Sequence, residues 1–128
     1  MNLAQLESHA TTAALVEAIR RALAAISEET RDLRGPGPVD HARHRRAKDL
    51  CLLDLLRRNR LLGGVDPGAD ARAALRDLRD AIIENQAVLK IHLAAARAVS
   101  NIILDVMVEE DSDRTYSRPP ARRGPSAR

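Results

Sequence analysis

The histidines and the single cysteine are the residues of this chain whose types could bind a metal ion. His41, His44 and Cys51 lie close together in the sequence, and imidazole nitrogen and thiolate sulfur are ligands that zinc prefers. Residues 43–48, however, carry four cations and no acid, and this charge repels a dication. We therefore expect a solvated helix start here, and we expect neither a metal nor a cofactor in this protein.

The sequence does not bring together the groups that an enzyme needs. His92 lies between Leu89 and Ala96 on one helical face, and the spacing places no serine, acid or lysine beside it. A histidine in such a row is typical of a hydrogen-bonded core or interface residue rather than of an acid–base catalyst. Because no nucleophile, base and orienting group are found together, we predict that the protein is not an enzyme.

His92 and Asn85 interrupt an apolar heptad seam in the second half of the chain. The seam consists of Leu75, Leu78, Ile82, Asn85, Leu89, His92, Ala96, Val99, Ile103 and Val106. Both polar residues occupy d positions, where a polar group needs a partner or water, so we expect them to set the register of the helices. A flanking column of apolar residues widens the seam, which favours more than one helical neighbour.

Start and stop signals predict two helices in the first half of the chain. Asn2 with Gln5 forms a capping pattern for a helix over about residues 3–33. The glycines and prolines at 35–38 end it, with glycine in a left-handed cap. Asp40 caps a second helix over about residues 40–62, which Gly63 and Gly64 end. At about 100° per residue we expect one buried face on this helix, formed by Cys51, Leu52, Leu55, Leu56 and Leu62.

A third and longer helix follows. Asp66 with Pro67, or alternatively Asp70, starts it, and it covers about residues 71–110. Short connections predict an antiparallel three-helix bundle, coiled-coil-like, over residues 1–111. Residues 112–128 are rich in serine, proline, glycine and arginine without apolar periodicity, and we expect them to form a disordered basic tail.

The helix lengths predict an unburied surface. At about 1.5 Å per residue the third helix outruns the other two, so that its turns from about Ala94 onward lose their intramolecular cover. An apolar row of this size in water usually marks an interaction surface. We expect the docking residues to be Leu93, Ala96, Val99, Ile102, Ile103, Val106 and Met107.

Charge and composition limit the partners. The net charge is +3, and the stretches 41–48 and 114–128 hold many of the cations without any acid, so the rest of the chain is acidic. These stretches could attract a phosphate backbone. The chain lacks the aromatic platforms that bind unstacked bases, however, with Tyr116 its only aromatic residue. We therefore favour a protein partner over a nucleic acid, and keep nucleic-acid binding as an alternative.

Apolar run length, the N-terminal pattern and cysteine content predict the cellular compartment. No segment approaches the roughly 18 continuous apolar residues that a membrane span needs, and the N-terminus lacks the pattern of a secretion signal. A lone cysteine in an apolar run, Cys51, is typical of a reducing compartment. We predict a soluble cytoplasmic protein without membrane insertion.

Three segments occur in an order that resembles the FlgN-type flagellar export chaperones. A long first helix is followed by the Lys48–Leu56 segment KDLCLLDLL, then by the Glu84–Leu89 segment ENQAVL, and then by a helix leading to Thr115-Tyr116-Ser117. That family shows a lysine before a leucine-rich helix, an asparagine-containing leucine segment in the last helix, and a tyrosine after it. The run over residues 92–100 together with Tyr116 also resembles short alphaproteobacterial members. The chain departs from the family pattern after the tyrosine, where the sequence SRPP replaces a glycine-bearing end.

The resemblance implies a cytoplasmic chaperone of type III secretion in bacterial flagellum biogenesis. Such a protein binds the C-terminal segments of hook-associated proteins, which form the hook-filament junction, and delivers them to the cytoplasmic domain of the export gate. Tyr116 is then the expected contact for the gate. Two alternatives stay open: a helical homodimer with a structural or regulatory role, in which the same apolar row packs against its own copy, and a regulator that touches nucleic acid through residues 43–48 and the tail.

Overall fold

A computed structural model describes the backbone of residues 2–117 and the side chains of residues 2–114. Over these residues the chain forms three α-helices and no strand: α1 covers Leu3–Arg34, α2 covers His41–Leu62 and α3 covers Gly68–Ser117. The predicted all-α fold is thereby confirmed. The chain divides into a first unit, Met1–Lys90, and a second unit, Ile91–Arg128.

The ends of α1 and α2 follow the predicted signals with one exception. Asn2 Oδ1 accepts a hydrogen bond from the Gln5 N–H at 2.9 Å, and Asp40 Oδ1 accepts one from the Arg43 N–H at 3.0 Å. Gly63 forms the left-handed cap of α2, with φ +61°. Gly35, by contrast, has φ −78° and is extended, so the left-handed cap predicted for α1 is wrong. Pro36 explains the difference, because a residue before proline is driven toward extended conformations.

The third helix is longer at both ends than the predicted 71–110. It begins at Gly68, whose N–H donates to Asp66 Oδ1 at 3.0 Å. It continues to Ser117, so Tyr116 belongs to a helix rather than to the flexible tail we expected. Serine, aspartate and threonine occupy positions 112, 113 and 115, and these residues lower helix propensity only slightly, so the helix can continue through them. The remainder of the predicted tail, residues 118–128, lies outside the described residues.

The first unit is a bundle built around α1. Its buried apolar residues come from all three helices: Leu15, Val16, Ile19, Ala22, Leu62, Ala71 and Leu78. Arg21 pairs with Asp54 and Glu28 with Arg43, so α1 and α2 are antiparallel. Thr12 and Val16, in the first half of α1, lie beside Gly68 and Asp70 at the start of α3, and Arg34, at the end of α1, pairs with Glu84. The helix α3 is therefore parallel to α1 and antiparallel to α2, as the short connections predicted.

The buried face of α2 differs from the prediction. Leu52 and Leu56 are 55% and 47% exposed, whereas His44 and Leu62 are buried. Polar contacts with α1 set the rotation of α2 about its own axis. Lys48 Nζ lies 2.9 Å from Glu29 Oε1, and Asp54 Oδ2 lies 2.7 Å from Arg21 Nη2. The hydrogen bond from Arg21 also lowers the pKa of Asp54. Lys48 and Asp54 occur among the leucines of α2. Because both pair with residues of α1, Leu52 and Leu56 are left facing outward.

One buried carboxylate ties the three helices together. Glu29 of α1 is only 2% exposed. Its Oε1 accepts from Lys48 Nζ of α2 at 2.9 Å and from Asn85 Nδ2 of α3 at 3.0 Å. Asn85, itself 3% exposed, also donates to Thr30 Oγ1 at 3.1 Å. Asn85, a polar d position of the heptad seam, thus contacts α1.

The environment of Glu29 favours its charged form. Burial is the largest single effect and disfavours ionisation. Hydrogen bonds from Lys48 and Asn85, together with the positive charge of Lys48, outweigh that burial, so the net effect is a lowered pKa for Glu29. The carboxylate is therefore ionised throughout the neutral range.

Replacing Ile19 with alanine tests the core. Ile19 is fully buried, with 0% exposure, and loss of its side chain leaves a cavity, so Ile19→Ala should lower the free energy of unfolding by about 2–5 kcal/mol. Leu50→Ala is the control, because Leu50 is 68% exposed and should change that free energy by about 0.5 kcal/mol or less. Urea denaturation followed by circular dichroism measures both. Equal losses for the two variants would contradict this core.

Replacing Glu29 with glutamine tests the buried carboxylate. Since the folded-state pKa of Glu29 is lowered, its stabilisation is present above the unfolded pKa, near 4.5, and is lost as the pH falls through the folded value. Glu29→Gln should cost about 1–3 kcal/mol at pH 7 and should lose less stability than the native chain on acidification. Urea titrations between pH 3 and pH 7 measure this.

The control for that experiment is Glu17→Gln. Glu17 pairs with Arg20 at the surface, where both side chains are more than half exposed, and such pairs contribute about 0–1 kcal/mol. Parallel stability profiles for the native chain and Glu29→Gln between pH 3 and pH 7 would show that Glu29 is not the group responsible.

Candidate functional site

The second unit presents a continuous exposed helix, which we call the arm and define as residues 91–114 of α3. Every side chain from Leu93 to Arg114 is exposed. This set includes all seven residues predicted for docking: Leu93, Ala96, Val99, Ile102, Ile103, Val106 and Met107. The helix also runs without interruption through Ser100 and Asn101, so it does not fold back at that point.

The apolar surface of the arm is wider than the predicted row. Ile91, Leu104 and Val108 are also exposed, at 70%, 57% and 66%. Between Ile91 and Val108 the polar side is narrow, because Arg97, Asn101 and Asp105 follow one another at intervals of four and form a single row, with Ser100 beside it. The last residues of the arm, 109–114, are all polar or charged. A helix that is apolar over most of its circumference is typical of one buried between neighbours. The heptad pattern does not include these residues, because Leu104, Ile91 and Val108 occupy its b, c and f positions, on the side away from the a and d columns.

The composition of α3 also meets the requirement for a membrane span. Within Gly68–Arg114 an 18-residue window has mean hydropathy 1.5, and none of that window is buried in the protein. The prediction of no such segment rests on runs of uninterrupted apolar residues, which Arg97 and Asp105 break, whereas a mean over the window tolerates both. The core helices of soluble proteins pass the same test of length and composition, but they are mostly buried, whereas this window is exposed.

The polar residues singled out in the sequence lie in separate places. Asn85 belongs to the first unit and His92 to the second. Asn85 is buried against Glu29, and His92 is half-buried. Tyr116 lies on the last turn of α3, and its side chain is outside the described residues. The structure therefore does not gather these three residues into one site.

The basic group at the start of α2 is partly neutralised by α1. His44 is only 3% exposed and its Nε2 lies 2.7 Å from Asp32 Oδ2, so the solvated start expected for this residue is wrong. Arg43 pairs with Glu28 and Asp32, and Lys48 pairs with Glu29. Glu28, Glu29 and Asp32 thus reduce the positive charge available to a phosphate backbone.

Acidic and metal-ligating side chains form no metal centre in the part of the chain that the structure describes. Within it, no group of three or more histidine, cysteine, aspartate or glutamate side chains is arranged to hold an ion. His44 bonds to Asp32, and Cys51 is a free thiol, half-buried on α2.

A second apolar surface was not anticipated from the sequence. In the first unit a cavity of about 200 Å³ lies between α2 and α3, and its walls are largely apolar. It is lined by Ala22, Ile26, Lys48, Asp49, Cys51, Leu52, Leu55, Leu78 and Ile82. We call this cavity, with the exposed Leu52 at its edge, the α2–α3 groove. The leucine-rich run of α2 was the available signal, but it suggested burial instead.

Comparison of this chain with protein-family models, with curated proteins and with solved structures finds no match.

Proposed function

We propose that this protein is a cytoplasmic export chaperone of the FlgN type, which holds the C-terminal helical segments of hook-associated proteins on its arm. The observation that carries the proposal is the exposed apolar surface of the arm, from Leu93 to Val108. Soluble proteins rarely leave a patch of this kind without a partner. The order of the Lys48, Asn85 and Tyr116 segments, which resembles that family, supports the choice of partner.

The charges of the arm favour a protein partner over a lipid one. Arg97 and Asp105 lie within the most apolar stretch of α3, and each costs about 2.5–3.5 kcal/mol or more at the centre of a bilayer. Asn101 adds a further polar group to the same row. A helix docked between protein neighbours can leave this narrow row in water, whereas a helix that spans a membrane cannot.

The mechanism follows from the chemistry of an exposed helix. Amphipathic segments bind an apolar helix face through side chains at intervals of three and four. Segments that become ordered only on binding use part of the interaction free energy for that ordering. The complex is therefore specific yet releasable, which is what a chaperone needs when it transfers its client to an export gate.

The polar residues have separate roles in this proposal. Asn85 holds the first unit in register through Glu29. His92 also sets register, next to Leu93 and Ala96 at the inner end of the docking surface. Tyr116, on the last turn of α3, contacts the cytoplasmic domain of the export gate. Client binding and delivery then depend on different residues of one helix.

A single charge on the apolar side of the arm should abolish client binding. Ile103→Asp places a carboxylate in the docking surface, and burying it there without a partner is unfavourable by several kcal/mol. Co-purification of hook-associated proteins should fall at least about a hundredfold. Asn101→Asp is the matched control, because it adds the same charge in the polar row and should retain binding. Unchanged co-purification by Ile103→Asp, with unchanged helicity, would reject the arm as the docking site.

Replacing Tyr116 should separate delivery from binding. Tyr116→Ala should keep client affinity within about twofold and should abolish binding of the loaded chaperone to the isolated gate domain. Pull-down with that domain measures the second effect. Loss of client binding by Tyr116→Ala would place the tyrosine in the docking surface instead.

A homodimer is the alternative that the same surface supports. Sedimentation of the purified chain at micromolar concentration, with and without a client segment, distinguishes the two. The chaperone proposal requires that the client be bound by an open face, so a tight dimer that persists at saturating client would reject it.

A further inference from the structure

We propose that the α2–α3 groove of the first unit is a second docking site, which binds an amphipathic helix of a partner protein whose flank is acidic. The groove uses none of the arm residues, so the inference goes beyond the proposed client surface.

The groove has the apolar lining that the apolar face of a helix requires. Ala22 of α1, 5% exposed, and Leu78 of α3, 7% exposed, lie at its buried base. Leu52 of α2 borders it and is 55% exposed. Leucine side chains that remain in water beside an apolar cleft gain free energy when a helix covers them.

The apolar lining continues past the cavity along both helices. Leu56 follows Leu52 by one turn, and Leu75 precedes Leu78 by about one turn on the same side as Ile82. Leu56 is 47% exposed and Leu75 is 42% exposed. A row of apolar residues on two antiparallel helices is the surface into which the ridge of another helix packs, with axes about 8–10 Å apart.

The two flanks of α3 carry opposite charges. At about 100° per residue, the flank that continues from Leu78 through Ile82 away from α1 bears Arg72, Arg76 and Arg79. The other flank bears Asp77, Asp80 and Glu84. Glu84 pairs with Arg34, which identifies the acidic flank as the side toward α1. Arg72 and Arg79 therefore lie on the flank next to the α2–α3 groove, and Arg76 lies farther out on the same flank.

These arginines select for an acidic partner. Arg76 and Arg79 are exposed, while Arg72 pairs with Asp66. On the α2 wall of the groove, the acid Asp49 lies beside Lys48 and offsets its charge. The positively charged edge of the groove is therefore the one formed by α3. Glutamates along one flank of a docked helix would meet that edge, while its leucines cover the groove. A nucleic acid would satisfy the arginines but would leave the apolar lining in water, so the combination favours a helix.

The native thiol of Cys51 allows a direct test, because Cys51 lines the groove and is the only cysteine in the chain. Two synthetic helical peptides of about five turns serve as probes. Both carry leucines at a and d positions, and one flank bears glutamates in the first peptide and lysines in the second. The rate at which a maleimide modifies Cys51 in the full chain is measured against peptide concentration.

The glutamate peptide should slow the modification of Cys51 and should bind about tenfold more tightly than the lysine peptide, as expected for two or three exposed ion pairs. The double variant Arg76→Glu with Arg79→Glu should reverse this preference. Leu52→Asp should weaken both peptides at least tenfold. Ile103→Asp, on the arm, should leave both affinities unchanged, which separates this site from the client surface.

Three results would overturn the proposal. Equal affinity of the two peptides would show that the arginines do not select the partner. Unchanged Cys51 reactivity at saturating peptide would show that the peptide binds elsewhere. A Cys51 reactivity that falls with the concentration of the chain alone would show that a second copy already covers the groove. If Leu52→Asp fails to fold, the exposed arginine variant still decides the question.

Discussion

Glu29 is almost entirely removed from water and receives hydrogen bonds from Lys48 on α2 and Asn85 on α3. Leaving such a charge without a partner costs about 3–5 kcal/mol, so alternative rotations of α2 or α3 that break these contacts are disfavoured. Thr30, the next residue of α1, binds Asn85 as well. The rotation of both helices about their axes is therefore set by polar contacts at one point on α1.

This rotation determines which apolar residues stay exposed. With Lys48, Cys51 and Leu55 directed toward the rest of the bundle, Leu52 and Leu56 lie to one side. Because Leu52 and Leu56 are each about half exposed, burying the rest of both would contribute about as much as burying one leucine fully, about 1.5–3 kcal/mol. An unpaired buried carboxylate costs more. The bundle therefore keeps its ionic contacts at the expense of part of its leucine face. The α2–α3 groove is a consequence of that balance.

The parts of this fold that depend on local signals could be predicted, and the parts that depend on contacts between helices could not. Asn2, Asp40 and Gly63 act within a few residues of their own positions, and they mark helix ends as expected. The burial of α2 was predicted from its leucines alone. Its partners Glu29 and Arg21 are distant in sequence, so no pattern within α2 could show that Lys48 and Asp54 would face α1.

The candidate site shows the same division. Its residues could be named in advance because exposure of the arm followed from helix length, a local quantity. Composition suggested disorder after Asp111, but α3 reaches Ser117. The prediction was wrong because a helix that has already formed continues through residues whose helix propensity is only slightly lower. The α2–α3 groove was missed because it exists only once three helices have taken their rotations.

The arm is helical although its side chains from Leu93 onward are exposed, and the continuity of α3 explains this. Starting an isolated helix is costly, but extending one adds a hydrogen bond for each residue fixed. The first half of α3 is held by burial of Ala71, Leu78 and Asn85, so the arm extends an existing helix. Its alanine-rich start at residues 94–98 favours that extension. The proposed docking surface is consequently helical without a partner, and under that proposal the entropy of ordering on binding falls on the partner alone.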